Sequence, residues 1–470
     1  MRKAYDLAKQ FLSFISYLLK KFRTFAPLNT LPTYKNIWKI AMPLLYGFLA
    51  QNIVVAVDTA FLARVGELEL AASAIAGAFY IILFMLGFGF GIGTQILIAR
   101  RNGEKNHEKI GPIVENSLYF IWAFSAVVVV VAWLFSDRIL GAIIYSEAVA
   151  DAAVRFFNIR VFTLFFALGA VILSRFFVGI QFTKYIGIGA LIVAVANLIF
   201  DYLLIFGTFG FPKMGLEGAA LAAVLAEIAG FIFFIVVILR KVDLKKYNLF
   251  RFKIPDFGVT KNILKLSSFT MLQNTLSVIG WFLFFVIVER TGERNLAVSN
   301  IIRSFYLLLL APQWAFGDAV STLVSNAIGE GRRRYVFQII RRVAIFCTSI
   351  MLGLFALTIL FPGVIMSFYT NDPMLIELGR EGLVIVALAA VIGGITWIVF
   401  YSVAATGNTH VSLGIDVFST IIYVISIYLL ASMFADRIAF VWFSEIVYCV
   451  LLGIGAMIYL STNHWKKKEI

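Results

Sequence analysis

The segment RVGELELAASAIAGAFY at residues 64–80 returns as RTGERNLAVSNIIRSFY at residues 290–306, and nine positions carry the same residue in both copies. The same offset of 226 residues holds further along the chain, where matching pairs include Phe90 and Phe316, Gly91 and Gly317, Gly103 and Gly329, and Glu104 and Glu330. Self-similarity at a fixed offset predicts a chain built from two related halves.

The sequence around these segments is too apolar for a water-soluble domain. Of the 470 residues, 61% are hydrophobic and 14% are charged, whereas about 25% of the residues in a soluble domain are charged. Apolar runs that are long enough to cross a bilayer recur along the whole chain. They predict twelve spans, near residues 37–63, 70–98, 110–134, 156–179, 185–206, 215–239, 263–288, 296–327, 335–361, 378–405, 411–433 and 438–462.

The longest central polar stretch divides these spans into six and six. Because six is even, both halves start on the same side of the membrane, and such parallel repeats are related by a pseudo-two-fold axis along the membrane normal. The sequence therefore predicts an all-α polytopic membrane protein with twelve transmembrane helices in two six-helix bundles. The expected parts are a cytoplasmic interfacial amphipathic segment (1–35), an N-terminal bundle (36–239), a cytoplasmic linker (240–262), a C-terminal bundle (263–462) and a basic cytoplasmic tail (463–470).

Positive charge predicts the orientation and argues against other functions. The chain has 40 Lys and Arg against 26 Asp and Glu. With the N-terminus inside, 29 of the basic residues fall in inside segments and 8 in outside segments, so both termini are expected to be cytoplasmic. Cytoplasmic loops account for this excess without a nucleic-acid partner. The two cysteines and three histidines show no disulfide or metal-ligand spacing, and no P-loop motif is present, so we expect no cofactor and no enzyme activity.

Acidic residues inside the predicted spans are candidates for function, because a charge at a helix centre costs at least about 2.5–3.5 kcal/mol on insertion scales. They are Asp58, Asp201, Glu227, Asp318, Asp416 and Glu445. At about 1.5 Å per residue, Asp58 and Asp201 lie about 12 and 9 Å below the predicted outer surface, and Asn197 lies one turn below Asp201. Two carboxylates and an amide at one depth predict a site for a proton or a transient Na⁺. The alternative is a buried ion pair with Arg160 or Arg175.

The repeat makes the acidic site a property of one half. The offset of 226 residues takes Asp58 to Phe284, Asn197 to Tyr423 and Asp201 to Ile427. Cation coupling is therefore expected in the N-terminal bundle alone.

Two further residues of the first span are candidates. Gln51 lies two turns below Asp58 on roughly the same face and is expected to line the adjacent substrate cavity. Pro43 removes a backbone donor, so it either bends the first helix or is tolerated within its first turns.

Three segments of the N-terminal half carry a family resemblance. VDTAFLARVGELELAASAIA (57–76), GTQILIARRNGE (93–104) and NLIFDYLLIFGTFGFPKMGLEGAALAAVLAE (197–227) resemble the multidrug and toxic compound extrusion (MATE) family. The resemblance implies a bacterial inner-membrane exporter of organic cations and other amphipathic compounds in exchange for Na⁺ or H⁺. It also implies that Asp58 is the acid of helix one, that Asn197 and Asp201 form the Asn-x-x-x-Asp of helix five, and that Pro43 is a helix bend.

The chain departs from the family pattern at two places. Ala223 stands where many relatives carry a threonine, and Glu227, one turn deeper on the same face, is expected to compensate. A third carboxylate would add repulsion to the cluster, which favours H⁺ over Na⁺. Another branch of the family has acids in helices seven and ten, whereas here the seventh span offers Gln273 and Asn274, which we assign tentatively to the substrate cavity.

The sequence thus predicts a secondary active multidrug efflux transporter that works by alternating access. It is expected to be a monomer whose partners are small cationic or amphipathic substrates and the lipid bilayer. The alternative is a flippase for lipid-linked saccharides of the related superfamily, which would need a strongly basic cavity, whereas the predicted spans hold six acids and three arginines. A non-transporting scaffold or sensor is a third possibility, and no appended domain supports it.

Overall fold

The computed structural model describes residues 31–252, 254–434 and 437–468, and within these ranges every regular element is a helix. Eleven described helices are long and apolar enough to cross a membrane, and a bent helix pair supplies a twelfth span. This confirms the predicted fold class. The predicted amphipathic segment 1–35 lies, except for its last five residues, outside the described part of the chain.

Each predicted span corresponds to one observed helix or helix pair. The N-terminal half, called the N lobe, consists of α1 (Tyr34–Val65), α2 (Glu67–Gly103), α3 (Ile110–Ile143), the two-part α4 (Glu147–Arg160 and Thr163–Gly179), α5 (Lys184–Phe206) and α6 (Leu216–Lys241). The C-terminal half, called the C lobe, consists of α7 (Phe257–Glu289), α8 (Glu293–Gly329), α9 (Val336–Leu360), α10 (Pro373–Ala405), α11 (Thr409–Met433) and the two-part α12 (Ile438–Val441 and Phe443–Ser461). Of two further short helices, Leu244–Tyr247 lies between α6 and α7, and Pro362–Ser367 lies between α9 and α10.

Side chains at the helix starts show why these boundaries form. Asp256 precedes α7 and accepts hydrogen bonds from the backbone N–H groups of Gly258 and Val259. Asp372 precedes α10 and accepts from Met374 N–H, while Pro373 occupies the first turn, where its missing N–H is not needed. These capping contacts fix the residues at which α7 and α10 begin.

The buried apolar residues form two clusters, one for each lobe, and the lobes exchange the first turns of one helix each. Ile37 and Ile40 of α1 pack in the C-lobe cluster, and Ile263 and Leu266 of α7 pack in the N-lobe cluster. These two pairs are related by the 226-residue offset, so the sequence repeat is also a structural pseudo-symmetry. The end of the molecule where α1 and α7 begin is the one that the charge pattern predicts to be cytoplasmic, and it is called the inner end here.

Pro43 lies inside α1, which the structure describes as one helix. A proline at this position cannot donate to the carbonyl of Lys39, four residues earlier. The hydroxyl of Thr183, at the start of α5, donates to that carbonyl at 3.0 Å. A neighbouring threonine thus satisfies the backbone group that the proline leaves free, which is how prolines are tolerated in membrane helices.

At the inner end α2 and α8 cross closely enough to require glycine. A Cβ atom at Gly103 would collide with the backbone of Asn326, and one at Gly329 would collide with the backbone of Arg100. Gly103 and Gly329 are equivalent in the repeat, so each half supplies the same small residue to the crossing. Small residues let membrane helices approach at backbone distance, and here they join the two lobes.

Candidate cation-coupling site in the N lobe

Two carboxyl groups face each other inside the N lobe. Asp58 comes from the outer half of α1 and Asp201 from the outer half of α5, and their side chains lie within hydrogen-bonding reach of each other. Asp201 is fully buried and Asp58 is half-buried. The sequence placed these acids at nearly the same depth, and the structure brings them together.

The facing carboxyl groups have no hydrogen-bond donor between them. Considering all described residues, none donates to either carboxyl oxygen of Asp201 or to Oδ1 of Asp58. The Nδ2 of Asn197, which is 3% exposed, also has no acceptor among them. Buried polar atoms are normally paired, and leaving one unpaired costs about 1–3 kcal/mol, more for a charged group. A proton shared by the two carboxyl groups, or a bound cation, would satisfy them.

A guanidinium group lies beside the acidic pair. Arg160 ends the first part of α4, immediately before a bend of 44° that separates the two parts. It is within electrostatic range of Asp58 and Asp201, and its Cζ lies 5.0 Å from the ring centroid of Tyr80 on α2. No ion pair with a carboxylate of the described residues is formed.

Glu227 is a further electrostatic partner of this arginine. Its electrostatic partners are Arg160 and Tyr80, whereas Asp58 and Asp201 interact with each other and with Arg160. The expectation that Glu227 adds a third repelling carboxylate to the pair stays a prediction.

The structure adds Arg160 and Tyr80 to the site predicted from sequence. Arg160 was considered only as an alternative partner for an aspartate, because its place at a helix break was not visible in an apolar run. Tyr80 belongs to the repeated segment, where it matches Tyr306. A tyrosine kept in both halves beside a polar cluster was a signal that could have been used.

The second arginine considered as a partner for the acids has a different role. Nη1 of Arg175 in α4 donates to Asp318 Oδ2 of α8 at 2.7 Å and to Gln95 Oε1 of α2 at 2.7 Å. Gln95 Nε2 in turn donates to Thr322 Oγ1 at 2.9 Å. All four side chains are buried. Arg175 thus joins the two lobes and does not neutralise Asp58 or Asp201.

Two buried carboxyl groups of the C lobe, those of Asp416 and Glu445, have donors for both of their oxygens. Tyr448 Oη donates to Asp416 Oδ1 at 2.7 Å, and Ser277 Oγ donates to Oδ2 at 3.1 Å. The oxygens of Glu445 accept from Tyr423 Oη at 2.6 Å and from Tyr306 Oη at 3.2 Å. These acids are held within hydrogen-bond networks.

Apolar packing fills the C-lobe positions that are equivalent to the aspartate pair. Phe284, at the position equivalent to Asp58, is 1% exposed, and its ring centroid lies 4.5 Å from that of Trp442. Ile427, at the position equivalent to Asp201, is fully buried. The facing acids are therefore confined to the N lobe.

The predicted substrate-cavity residues are in three different settings. Gln51 of α1 is exposed. Gln273 of α7 accepts a hydrogen bond from Ser412 Oγ of α11 at 3.0 Å, and Asn274 donates to the backbone of Thr270 in its own helix at 2.8 Å. Their assignment to a substrate cavity stays a prediction.

Fold and site together define a two-lobed helical membrane protein with a buried acidic pair in one lobe. The described residues contain no group of three or more His, Cys, Asp or Glu side chains that could hold a metal ion. Two like bundles of membrane-spanning helices built from parallel repeats are an architecture of secondary transporters.

Comparison with known proteins identifies the family within this class. The MatE family profile matches residues 43–203 and 270–429, with one match in each lobe. This chain belongs to the MATE family of transporters, and it is therefore a transporter and not an enzyme.

Relatives align along most of the chain. A probable multidrug resistance protein NorM from Thermotoga maritima is 22% identical over 454 residues, which cover 96% of this chain and 97% of the relative. A probable multidrug resistance protein YoeA from Bacillus subtilis is 24% identical and covers 82% of this chain and 84% of its own length.

Solved structures share the fold. One described as the outward-facing conformation of a multidrug resistance MATE family transporter has a TM-score of 0.85 at 18% identity, covering 92% of this chain and 97% of its own. A transporter from Pyrococcus furiosus, described as having a binding pocket of reverse polarity, has a TM-score of 0.82 at 18% identity, with the same coverage.

Proposed function

We propose that this chain is a secondary active multidrug efflux transporter that exports organic cations or other amphipathic compounds in exchange for H⁺. It works by alternating access, as a monomer in the bacterial inner membrane with both termini in the cytoplasm. The facing pair Asp58–Asp201 carries this proposal, because a shared proton or a bound cation would satisfy the carboxyl oxygens that have no donor. The names of the relatives supply the substrate class, since those proteins are called multidrug resistance proteins.

The geometry of the pair favours H⁺ over Na⁺. A dehydrated Na⁺ needs a shell of several oxygens, whereas one proton completes a hydrogen bond between two facing carboxyl groups. Ala223 supplies no side-chain oxygen, and Glu227 interacts with Arg160. We therefore propose that Asp58 and Asp201 share the coupling proton and that Asn197 borders the site, with Na⁺ as the alternative ion.

In alternating access, the contacts that close one end of the lobe interface form in one conformation and break in the other. At the inner end, the Arg175–Asp318 ion pair is joined by a hydrogen bond from Asn102 Nδ2 to Asn326 Oδ1 at 2.7 Å. Asn326 Nδ2 also donates to the carbonyl of Gly179 at 3.1 Å. These contacts hold the lobes together at the inner end, which supports a conformation in which the substrate path opens to the outside.

The flippase alternative receives no support from the charges inside the lobes. A flippase for lipid-linked saccharides would need free basic groups for pyrophosphate. Of the three arginines inside the spans, Arg175 is paired with Asp318 and Arg160 lies among three carboxyl groups. The third, Arg303, lies over the ring of Phe285.

Ethidium efflux from proteoliposomes with imposed gradients tests the proposal. A pH gradient in Na⁺-free buffer should drive efflux through the wild-type protein, and Asp201→Asn should lack the driven component. Efflux that responds to neither gradient would contradict the function, and efflux that responds to Na⁺ alone would replace the proton by Na⁺.

A further inference from the structure

The outer end of the C lobe carries a short surface helix. α9 starts close to the α2–α8 crossing at the inner end, so its last residue, Leu360, lies at the opposite, outer end. The short helix Pro362–Ser367 follows, before α10 begins at Pro373. Met366 is fully buried and Ile365 packs against the C-lobe cluster. These two side chains fix the short helix to the surface of the lobe.

The other side of this short helix is apolar although it is exposed. Leu360, Phe361, Val364 and Phe368 are each more than half exposed. Apolar and aromatic side chains at the end of a membrane span lie at the boundary between lipid headgroups and acyl chains. The surface is therefore suited to contact with lipid at the outer interface of the membrane.

An open groove of about 470 Å³ runs along this surface. Its wall is mainly apolar and includes Leu360, Phe361, Pro362 and Val364. Arg380 of α10 also lines the groove. A Cβ atom at Gly363 would lie 2.9 Å from Nη2 of Arg380, so the guanidinium lies directly against the backbone of the short helix. The groove thus combines an apolar wall with a positive charge.

The guanidinium at the groove has a carboxylate beside it. Nη1 of Arg380 lies 3.0 Å from Oε2 of Glu377, one turn earlier on α10. The side chain of Arg380 is 48% exposed and that of Glu377 is 74% exposed. Both groups have further hydrogen-bonding capacity, because a guanidinium carries five donors and a carboxylate accepts several bonds. The polar end of the groove therefore presents one positive and one negative group side by side, with no net charge.

We propose that this groove binds a phospholipid of the outer leaflet that has a zwitterionic amine headgroup, namely phosphatidylethanolamine. The lipid phosphate accepts hydrogen bonds from Arg380, the ammonium group donates to Glu377, and an acyl chain lies along the apolar wall. The trimethylammonium group of phosphatidylcholine has no N–H to donate to the carboxylate. The headgroup of phosphatidylglycerol is anionic and meets Glu377 as a like charge. The site thus distinguishes the three lipids by their headgroups.

Native mass spectrometry of the purified full-length protein tests this site with the three lipids, all with the same acyl chains. Wild type should bind phosphatidylethanolamine about two- to fivefold more tightly than either of the other lipids, as expected for an exposed ion pair. Arg380→Gln should weaken the binding of all three lipids, because each has a phosphate. Glu377→Gln should remove only the preference for phosphatidylethanolamine, because the ammonium loses its acceptor.

Arg155→Gln is the matched control. Arg155 is also an outer arginine with an exposed carboxylate partner, Glu217 at 3.0 Å, but it does not line this groove. Its substitution should leave the three affinities at their wild-type values. Gly363→Val keeps both charges and fills the groove beside the guanidinium, so it should weaken the binding of all three lipids. Thermal unfolding close to wild type checks that each variant is folded.

The outcomes decide both the site and the headgroup. Arg380→Gln that binds phosphatidylethanolamine as tightly as wild type would overturn the site. Wild type that binds phosphatidylglycerol most tightly, or all three lipids equally, would overturn the zwitterionic headgroup. None of these measurements depends on efflux or on the Asp58–Asp201 pair, so failure of the lipid site and failure of the proposed function are distinguishable.

Discussion

The two lobes share a backbone repeat but treat buried acids in opposite ways. In the N lobe, Asp58 and Asp201 face each other, and the oxygens of Asp201 have no donor among the described residues. In the C lobe, each oxygen of Glu445 accepts from a tyrosine hydroxyl. A carboxyl group whose oxygens both have donors stabilises one arrangement of its helices. A pair without donors is instead suited to a proton or cation that binds and dissociates. Hydrogen-bond satisfaction, and not the presence of an acid, is thus what distinguishes the proposed coupling pair from the acids of the C lobe.

The largest effect is expected from the N-lobe pair. Asp58→Asn and Asp201→Asn should each abolish pH-driven ethidium efflux, because an amide keeps the shape of the side chain but cannot exchange the coupling proton. Expression and thermal unfolding should stay close to wild type. Full efflux in either variant, measured in proteoliposomes, would remove the pair from the coupling mechanism.

A large loss of stability is expected when the ion pair between the lobes is broken. Arg175→Gln leaves Asp318 buried without its 2.7 Å partner, which costs about 3–5 kcal/mol for a buried ion pair. Thermal unfolding of the purified protein measures this loss. The double variant Arg175→Gln with Asp318→Asn restores neutrality and should recover part of it. Equal destabilisation in both variants would mean that the charge pairing does not hold the lobes together.

A smaller effect is expected from the satisfied acids of the C lobe. Glu445→Gln and Asp416→Asn should each lower stability by about 1–2 kcal/mol, because a hydroxyl donor loses a charged acceptor. The ion dependence of efflux should stay unchanged, even where ethidium affinity shifts. If transport persists in one of these variants but no longer responds to the pH gradient, the coupling site belongs to the C lobe.

The smallest effect is expected beside Pro43, a proline that the C lobe lacks at the equivalent position. Thr183→Val removes the hydroxyl that satisfies the Lys39 carbonyl next to Pro43, and should cost about 0.5–1.5 kcal/mol. The control is Thr409→Val at the equivalent C-lobe position, where the partner helix carries Phe269 in place of the proline. A larger loss in Thr409→Val, measured by thermal unfolding, would show that the hydroxyl of Thr183 is not compensating for the proline.

The sequence was sufficient for the architecture because each span is a long apolar run and the repeat fixes how the halves correspond. Asp58 and Asp201 could be placed at one depth from helix geometry alone. Arg160 could not be placed, because its position depends on a 44° break inside α4 that the apolar pattern does not show. The pairing of Arg175 with Asp318 depends on packing between lobes, which no local pattern encodes.

The same limit explains the position of Glu227. Its place one turn below Ala223 was read from helix periodicity, which gives the face of a helix but not what lies opposite that face. The guanidinium of Arg160, which another helix contributes, is the electrostatic partner of Glu227, and helix periodicity does not reveal it. Charges contributed by distant parts of the chain are the least predictable part of the site.

The most direct test of the central claim compares ethidium efflux by the wild-type protein and by Asp201→Asn in proteoliposomes, in Na⁺-free buffer with an imposed pH gradient. The Asp58–Asp201 account predicts efflux by the wild type that collapses when the gradient is removed, and no gradient-driven efflux by Asp201→Asn. Wild-type transport that starts only when Na⁺ is added, or gradient-driven efflux by Asp201→Asn at the wild-type rate, would contradict it.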